Sequence, residues 1–205
     1  MRTRTVVFVI AAVVVTVFAV GIWTTDGQVE LGWLRFFSLS VAAGVGVLGL
    51  WEHWLWRASR CQALPTVPRN LRGTWKGTLI SFWTDPETEQ SPEPKPVYLV
   101  VRQTATTVTV VLLTDESRSV SSTATLLDDK GTVTLAYMYV NRPDSRFEHR
   151  SRMHHGSAAL DVTGRPAVRL RGRYWTDRDS KGEFDFVERD ARIADDYDQA
   201  AKFFT

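Results

Sequence analysis

The chain has 205 residues, and its 25 Lys and Arg nearly balance 23 Asp and Glu for a formal net charge of +2, so overall charge singles out no partner. One cysteine, Cys61, excludes an intrachain disulfide framework, a cysteine-rich zinc site and a CxxC redox pair. The N-terminal quarter is almost uncharged, while the rest, about 130 residues, is charged, β-branched and aromatic, enough for one compact domain and hardly for two.

Arg2 and Arg4 precede an uncharged run from Val6 to Trp23, VVFVIAAVVVTVFAVGIW. Its length of about eighteen residues suits a membrane span. A secretory signal peptide is the rival, favoured by the basic start and by Ala19 and Gly21, and disfavoured by the long run and the poor cleavage signal. A polar link, Thr24 to Arg35, leads into a second run, Phe36 to Trp56, FFSLSVAAGVGVLGLWEHWLW. At about 1.5 Å per residue this run reaches roughly 30 Å, the thickness of a bilayer's hydrocarbon core. One face carries Ser38, Ala42, Gly46 and Gly49, small residues at helical spacing that let two helix backbones approach closely.

The expectation is therefore a two-helix transmembrane hairpin within residues 1–62, with spans at 6–23 and 36–56. Arg2, Arg4, Arg57, Arg60, Arg69 and Arg72 lie outside the spans and the link offers only Arg35, which places both termini in the cytoplasm by the positive-inside rule. Trp23, Trp33, Trp51, Trp54 and Trp56 crowd the ends of the runs, where amphipathic rings favour the headgroup layer. Glu52 and His53 read either as an intramembrane relay or, more simply, as interfacial groups reaching water.

After a stiff linker at residues 63–70, ALPTVPRN, the pattern changes to period two. Strand-like runs follow at Leu71–Trp83, Val97–Gln103, Thr106–Thr114, Ser117–Leu127, Thr132–Arg142, His149–Val162, Ala167–Trp175 and Glu183–Glu188, separated by Asp-, Asn-, Gly- and Pro-rich turns. Eight short antiparallel strands over residues 71–190 fit a closed up-and-down β-barrel, with a two-sheet sandwich as the alternative. The fold class expected is thus membrane-anchored all-β, a transmembrane hairpin followed by a compact eight-stranded antiparallel barrel. Thr84 to Pro96, rich in proline and acid, reads as a flap over one barrel end. In the tail, residues 191–205, a short helix would turn Ile193, Tyr197 and Phe204 to one side.

Motifs for chemistry are sparse. Gly44 to Gly49, GVGVLG, matches GxGxxG by letter but lies inside an apolar run with no room for a βαβ unit. His154 and His155 are adjacent, so on a strand they point to opposite faces and cannot easily share a metal ion. No spacing assembles a nucleophile, a base and an orienting acid. The expectation is a protein that is not an enzyme and has no catalytic residue, metal or cofactor.

Binding chemistry is better represented. Arg142, Arg146, Arg150, Arg152, Arg165, Arg169, Arg171 and Arg173 stand against Asp144, Glu148 and Asp161, interleaved with Tyr137, Tyr139, Phe147, Tyr174 and Trp175. Guanidinium forks suit phosphate oxygens and aromatic faces suit bases. Arg169, Arg171 and Arg173 alternate with Leu170 and Gly172 and so read as a solvated exterior, whereas Arg150, Arg152 and His154 share the parity of Ala158 and Leu160. Gly73, Trp75, Gly77, Leu79 and Trp83 share one face of the first strand, with Trp75 the core residue. The candidate nucleotide-binding residues are Trp83, Arg102, Tyr137, Tyr139, Arg142, Arg150, Arg152 and Tyr174. The candidate helix-packing residues are Ser38, Ala42, Gly46 and Gly49.

Two apolar runs, a short linker and a compact β domain, with LRGTWKG entering at Leu71 to Gly77 and LRGRYW at Leu170 to Trp175, resemble the two-transmembrane, β-strand-rich effectors of bacterial CBASS anti-phage defence, which are associated with CD-NTase nucleotide synthases. The resemblance implies that the barrel receives a cyclic dinucleotide made during infection. It also implies that ligand binding drives homo-oligomeric assembly of the spans, disrupting the inner membrane and killing the infected cell. The partners expected are a cyclic dinucleotide, the lipid bilayer and further copies of the chain, with no DNA or RNA polymer. The alternative is a membrane-tethered barrel holding a lipid or another small apolar metabolite.

Overall fold

The structure, a computed structural model, describes residues 3–24, 33–84, 89–129, 131–148 and 152–205. It divides into two compact units, residues 1–68 with 104–106, and residues 69–103 with 107–205.

The first unit is helical. It contains α1 (Thr3–Thr24), α2 (Trp33–His53), a 3-10 turn (Leu55–Arg57) and the single-turn α3 (Ser59–Gln62). Among the described side chains, small residues are what α1 and α2 bury: Gly21 on α1, Ser40 and Gly44 on α2. Ser38, Ala42, Gly46 and Gly49 are exposed. Just beyond α2, Trp56 is fully buried against Val67 and Ala105, with Trp51 packed beside them. Gln62, itself buried, donates from Nε2 to the carbonyls of Trp56 at 2.8 Å and Pro68 at 3.0 Å, tying α3 to the linker.

The expected transmembrane hairpin does not stand. Among the described residues no helix is long and apolar enough to cross a membrane. In α2, Arg35 lies near the start, Glu52 and His53 close the helix, and three glycines and two serines lie between them. The placement as a two-span protein of the inner membrane with cytoplasmic termini falls with it. Trp56, expected at a headgroup layer, is a core residue. The Glu52 carboxylate accepts from the hydroxyls of Thr104 and Thr106, the latter at 2.6 Å, and from the Thr106 amide at 3.2 Å, while its own carbonyl accepts from the Ala105 amide at 3.1 Å. Burial raises the Glu52 pKa, but these hydrogen bonds outweigh it and hold the group below its ordinary range.

The second unit is a closed barrel of eight antiparallel strands, each paired with its sequence neighbours and β1 closing on β8. The strands are β1 (Gly73–Ser81), β2 (Lys95–Gln103), β3 (Val108–Leu113), β4 (Ser117–Asp129), β5 (Thr132–Pro143), β6 (His154–Thr163), β7 (Arg169–Thr176) and β8 (Lys181–Asp190). Period-two alternation turns one residue in two inward, and Trp75, Leu99, Leu135, Leu160, Leu170 and Phe186 are each 0% exposed. Arg169, Arg171 and Arg173 lie outside, facing Asp185 and Glu183. The barrel is thus the expected architecture, and the sandwich is excluded.

One barrel end is sealed by residues 69–72. Leu71, fully buried, donates its amide to Gln103 Oε1 at 2.7 Å and accepts from Trp75 Nε1 at 2.9 Å, and Gln103 Nε2 donates to the Arg69 carbonyl at 2.8 Å. The Arg189 guanidinium lies 5.2 Å from the Trp75 ring centroid and donates to the Arg72 carbonyl at 2.6 Å. Outside the sheet, α4 (Tyr197–Ala201) and its flanks cover Tyr98, Val100, Val111 and Leu113, with Phe204 stacked on Tyr98 at 5.8 Å. Asp196 caps α4 by accepting from the Gln199 amide at 2.7 Å. With one end plugged and an outer face covered, the other end remains the place where a ligand can enter.

Candidate functional site

The open end is where β1, β3, β5 and β7 finish and β2, β4, β6 and β8 begin. It holds a cavity of about 430 Å³, within the roughly 300–1,000 Å³ of small-molecule sites. The floor is apolar and aromatic: Leu79, Val97, Leu112, Phe184, Tyr139 and Tyr174. The walls are polar, with Ser81, Thr114, Ser117, Ser119, Asn141, Thr176 and Ser180. The ionisable side chains of the lining, besides the two tyrosines of the floor, are Glu93, Lys95, Asp115, Glu116, His154 and Arg178. Trp83 and Pro92 come from the β1–β2 connection, whose residues 85–88 are outside the described set.

Local sequence explains the floor. Tyr139 and Tyr174 point inward by strand parity, and each lies across a glycine of the next strand: a Cβ on Gly156 would fall 2.5 Å from the Tyr139 ring, and one on Gly182 would fall 2.6 Å from Tyr174. Tyr174 and Phe184 rings meet at 4.9 Å, tilted by 33°. Burial pushes the phenol pKa of Tyr139 well above its ordinary value, with Tyr174 and Asp177 adding to the effect. Burial also raises that of Tyr174 against a hydrogen bond with Ser81. Both phenols are neutral donors at physiological pH.

Two polar networks build the walls. Asn141, on β5 opposite Ser119 of β4 and His154 of β6, donates from Nδ2 to Ser117 Oγ at 2.9 Å and Ser119 Oγ at 2.8 Å. Thr176 and Ser180 hydroxyls meet at 2.7 Å across the β7–β8 turn. At the rim, Lys95 Nζ pairs with Glu116 Oε1 at 2.8 Å. Arg178 Nη1 donates to the Arg152 carbonyl at 3.2 Å, which also lies 3.0 Å from His154 Nδ1. Asp177 is held below the usual carboxylate range, first by the His155 amide, which donates to it at 3.0 Å.

Of the candidate residues read from the sequence, Trp83, Tyr139 and Tyr174 line this cavity. Tyr137 is deeper in the core, its ring 5.9 Å from Tyr139. Arg102 is on the outer face, paired with Asp195 at 3.0 Å, because its parity is opposite to that of Leu99 and Val101. Arg142 is exposed, on the face opposite to Asn141. Arg152 is exposed just before β6 and offers its carbonyl to the rim. Arg150 lies outside the described residues. The residues sequence reasoning passed over are Lys95, Ser117, Ser119, Asn141, Thr176 and Arg178. Ser117, Ser119 and Asn141 had one available signal, a polar side chain at inward parity beside apolar positions, which is costly unless paired or used.

An aromatic floor, hydroxyl and amide walls and a few rim cations can hold a planar heterocycle with polar edges and anionic substituents at the mouth. Comparison with known proteins is consistent with this chemistry. The sequence model of a family described as "Cap15, cyclic dinucleotide receptor domain" matches residues 66–188, more than half of the chain and nearly all of the barrel. The chain is also 25% identical over 154 residues to the "CD-NTase-associated protein 15" of Staphylococcus schleiferi, the match covering 75% of this chain and 79% of that protein.

Proposed function

Because the chain belongs to the Cap15 cyclic dinucleotide receptor family, and is a CBASS effector that senses a cyclic nucleotide, we propose that the open barrel end is the receptor site. The observation that carries this reading is the cavity at that end, whose floor presents Tyr139, Tyr174 and Phe184 and whose rim presents Lys95 and Arg178. A base enters against the tyrosines, and the phosphodiester oxygens stay at the rim near the ammonium and guanidinium. The hydroxyl and amide walls are unlike the lining an acyl chain requires, which disfavours a lipid occupant. The site binds without turning its ligand over.

Occupancy then drives self-association of the chain, and the bilayer is the target of the assembled state, so that membrane disruption kills the infected cell. A ligand shifts that equilibrium only by its differential affinity for the assembled and free states, so the assembled chain binds it more tightly.

Calorimetric titration of the full chain with a panel of cyclic dinucleotides of differing bases and linkages tests the receptor reading. Saturable heat with at least one member is expected, and none with any member overturns it. With the binding member, sedimentation and dye release from vesicles test the output. If neither changes on ligand addition, the receptor stands and the assembly reading fails.

A further inference from the structure

Asn141 is 6% exposed, lines the open-end cavity and is built into its wall from both sides. Both hydrogens of its Nδ2 are committed, one to Ser117 Oγ and one to Ser119 Oγ, at 2.9 and 2.8 Å. Its Oδ1 is buried and has no partner. Among the described residues it is the one that both lines the cavity and holds a buried polar side-chain atom without a hydrogen bond. Turning the amide over would leave two buried N–H donors unmatched in place of one oxygen, and buried N–H groups are the less tolerant of being orphaned. The serines therefore hold Asn141 with its acceptor left over.

A buried acceptor left unsatisfied costs stability in the empty protein, and the cost is relieved when a donor arrives. Resting on the receptor reading above, we infer that Asn141 Oδ1 reads the edge of a bound nucleobase by accepting a hydrogen bond from a base N–H, an exocyclic amino or ring imino group. Since Nδ2 is occupied, Asn141 cannot make the two-point contact with adenine that a free asparagine amide makes. It reads one donor. Ser117 and Ser119 act through it as positioning residues: Ser119 is 3% exposed and sits opposite Asn141 in the β4–β5 register, so it fixes the amide plane.

The test uses the full chain and 3′,3′-cyclic di-AMP, cyclic di-GMP and the adenosine–uridine hybrid. Whichever binds is compared with its analogue lacking the edge donors: purine for adenine, N1-methylhypoxanthine for guanine, N3-methyluracil for uracil. Wild type is expected to lose about tenfold or more in affinity for the analogue. Asn141→Ala is expected to bind parent and analogue within about threefold of each other, and Asn141→Asp, which keeps an acceptor, to retain the preference for the parent. Thermal melts of each variant check folding, and the comparison of ligands on wild type does not depend on any variant. An analogue that binds wild type as tightly as its parent overturns the inference while leaving the receptor reading intact, as does an equal loss for both ligands in Asn141→Ala. Failure of wild type to bind any parent overturns the receptor reading and this inference with it.

Discussion

Gly156→Ala tests whether the aromatic floor is built as described. The added Cβ would lie 2.5 Å from Tyr139 Cζ and Oη and 2.6 Å from the Trp175 carbonyl oxygen, where ordinary contact begins at 3.4 Å. The ring can tilt into the cavity, but the carbonyl belongs to β7, whose Trp175 pairs with Ser157 of β6, and yields only if the sheet moves. Overpacking of this kind costs about 1–3 kcal/mol, which for a domain of this size lowers the melting temperature by roughly 4–10 °C. The tilted ring also occupies the space of a base, so ligand affinity falls together with stability. In a Tyr139→Leu background the part due to the ring disappears while the part due to the Trp175 carbonyl remains, so the cost of Gly156→Ala shrinks without vanishing. Differential scanning calorimetry and a ligand titration measure both effects. A Gly156→Ala protein that melts and binds as wild type refutes the reasoning, because Tyr139 would then not lie across β6.

Glu52 provides a pH test. Its folded pKa is depressed by the hydroxyls of Thr104 and Thr106 and the Thr106 amide, against the opposing effect of burial. A depressed folded pKa contributes stability that is present above the unfolded carboxylate value, about 4.3, and is lost as pH falls through the folded value. Wild type should therefore exceed Glu52→Gln in denaturant midpoint at pH 7, with the gap closing on acidification towards pH 3; a gap independent of pH refutes the carboxylate's role. Arg178→Ala, at the cavity rim, should weaken ligand binding about tenfold. Arg102→Ala, on the outer face opposite Asp195, should leave affinity within about twofold and cost less than ~1 kcal/mol of stability, as an exposed ion pair does. Equal losses in the two arginine variants would place the phosphate contacts elsewhere.

How far the site was legible follows strand by strand. Alternation around Trp75, Tyr139 and Leu160 reports which residues turn inward, because successive strand side chains point to opposite sheet faces whatever the partner strand. That rule placed Tyr139 and Tyr174 in the interior and the three arginines of β7 outside. Applied to Arg102 it would have shown an outward residue beside Val101, yet the pull of a basic side chain towards phosphate outweighed the parity. Asn141 lay hidden for the opposite reason. Its parity is inward, but its significance comes from Ser117 and Ser119, more than twenty positions away in sequence and brought alongside only by the β4–β5 register.

The helical unit was read least accurately, and the physics is instructive. An apolar run with tryptophans at its ends looks the same whether the tryptophans meet headgroups or a protein core. Trp56 is committed to a core by Val67 and Ala105, and the Glu52 carboxylate is engaged by the hydroxyls of Thr104 and Thr106. The chain's own sequence determined that eight strands would alternate, where they would turn, and which aromatic rings would share an interior, since these depend on local backbone geometry and side-chain parity. Tertiary structure alone decided that residues 69–72 plug one end of the barrel and leave the other open, and that one asparagine oxygen in its wall is without a donor. Those features depend on closure of β1 on β8 and on hydrogen bonds between distant segments, which no local pattern encodes.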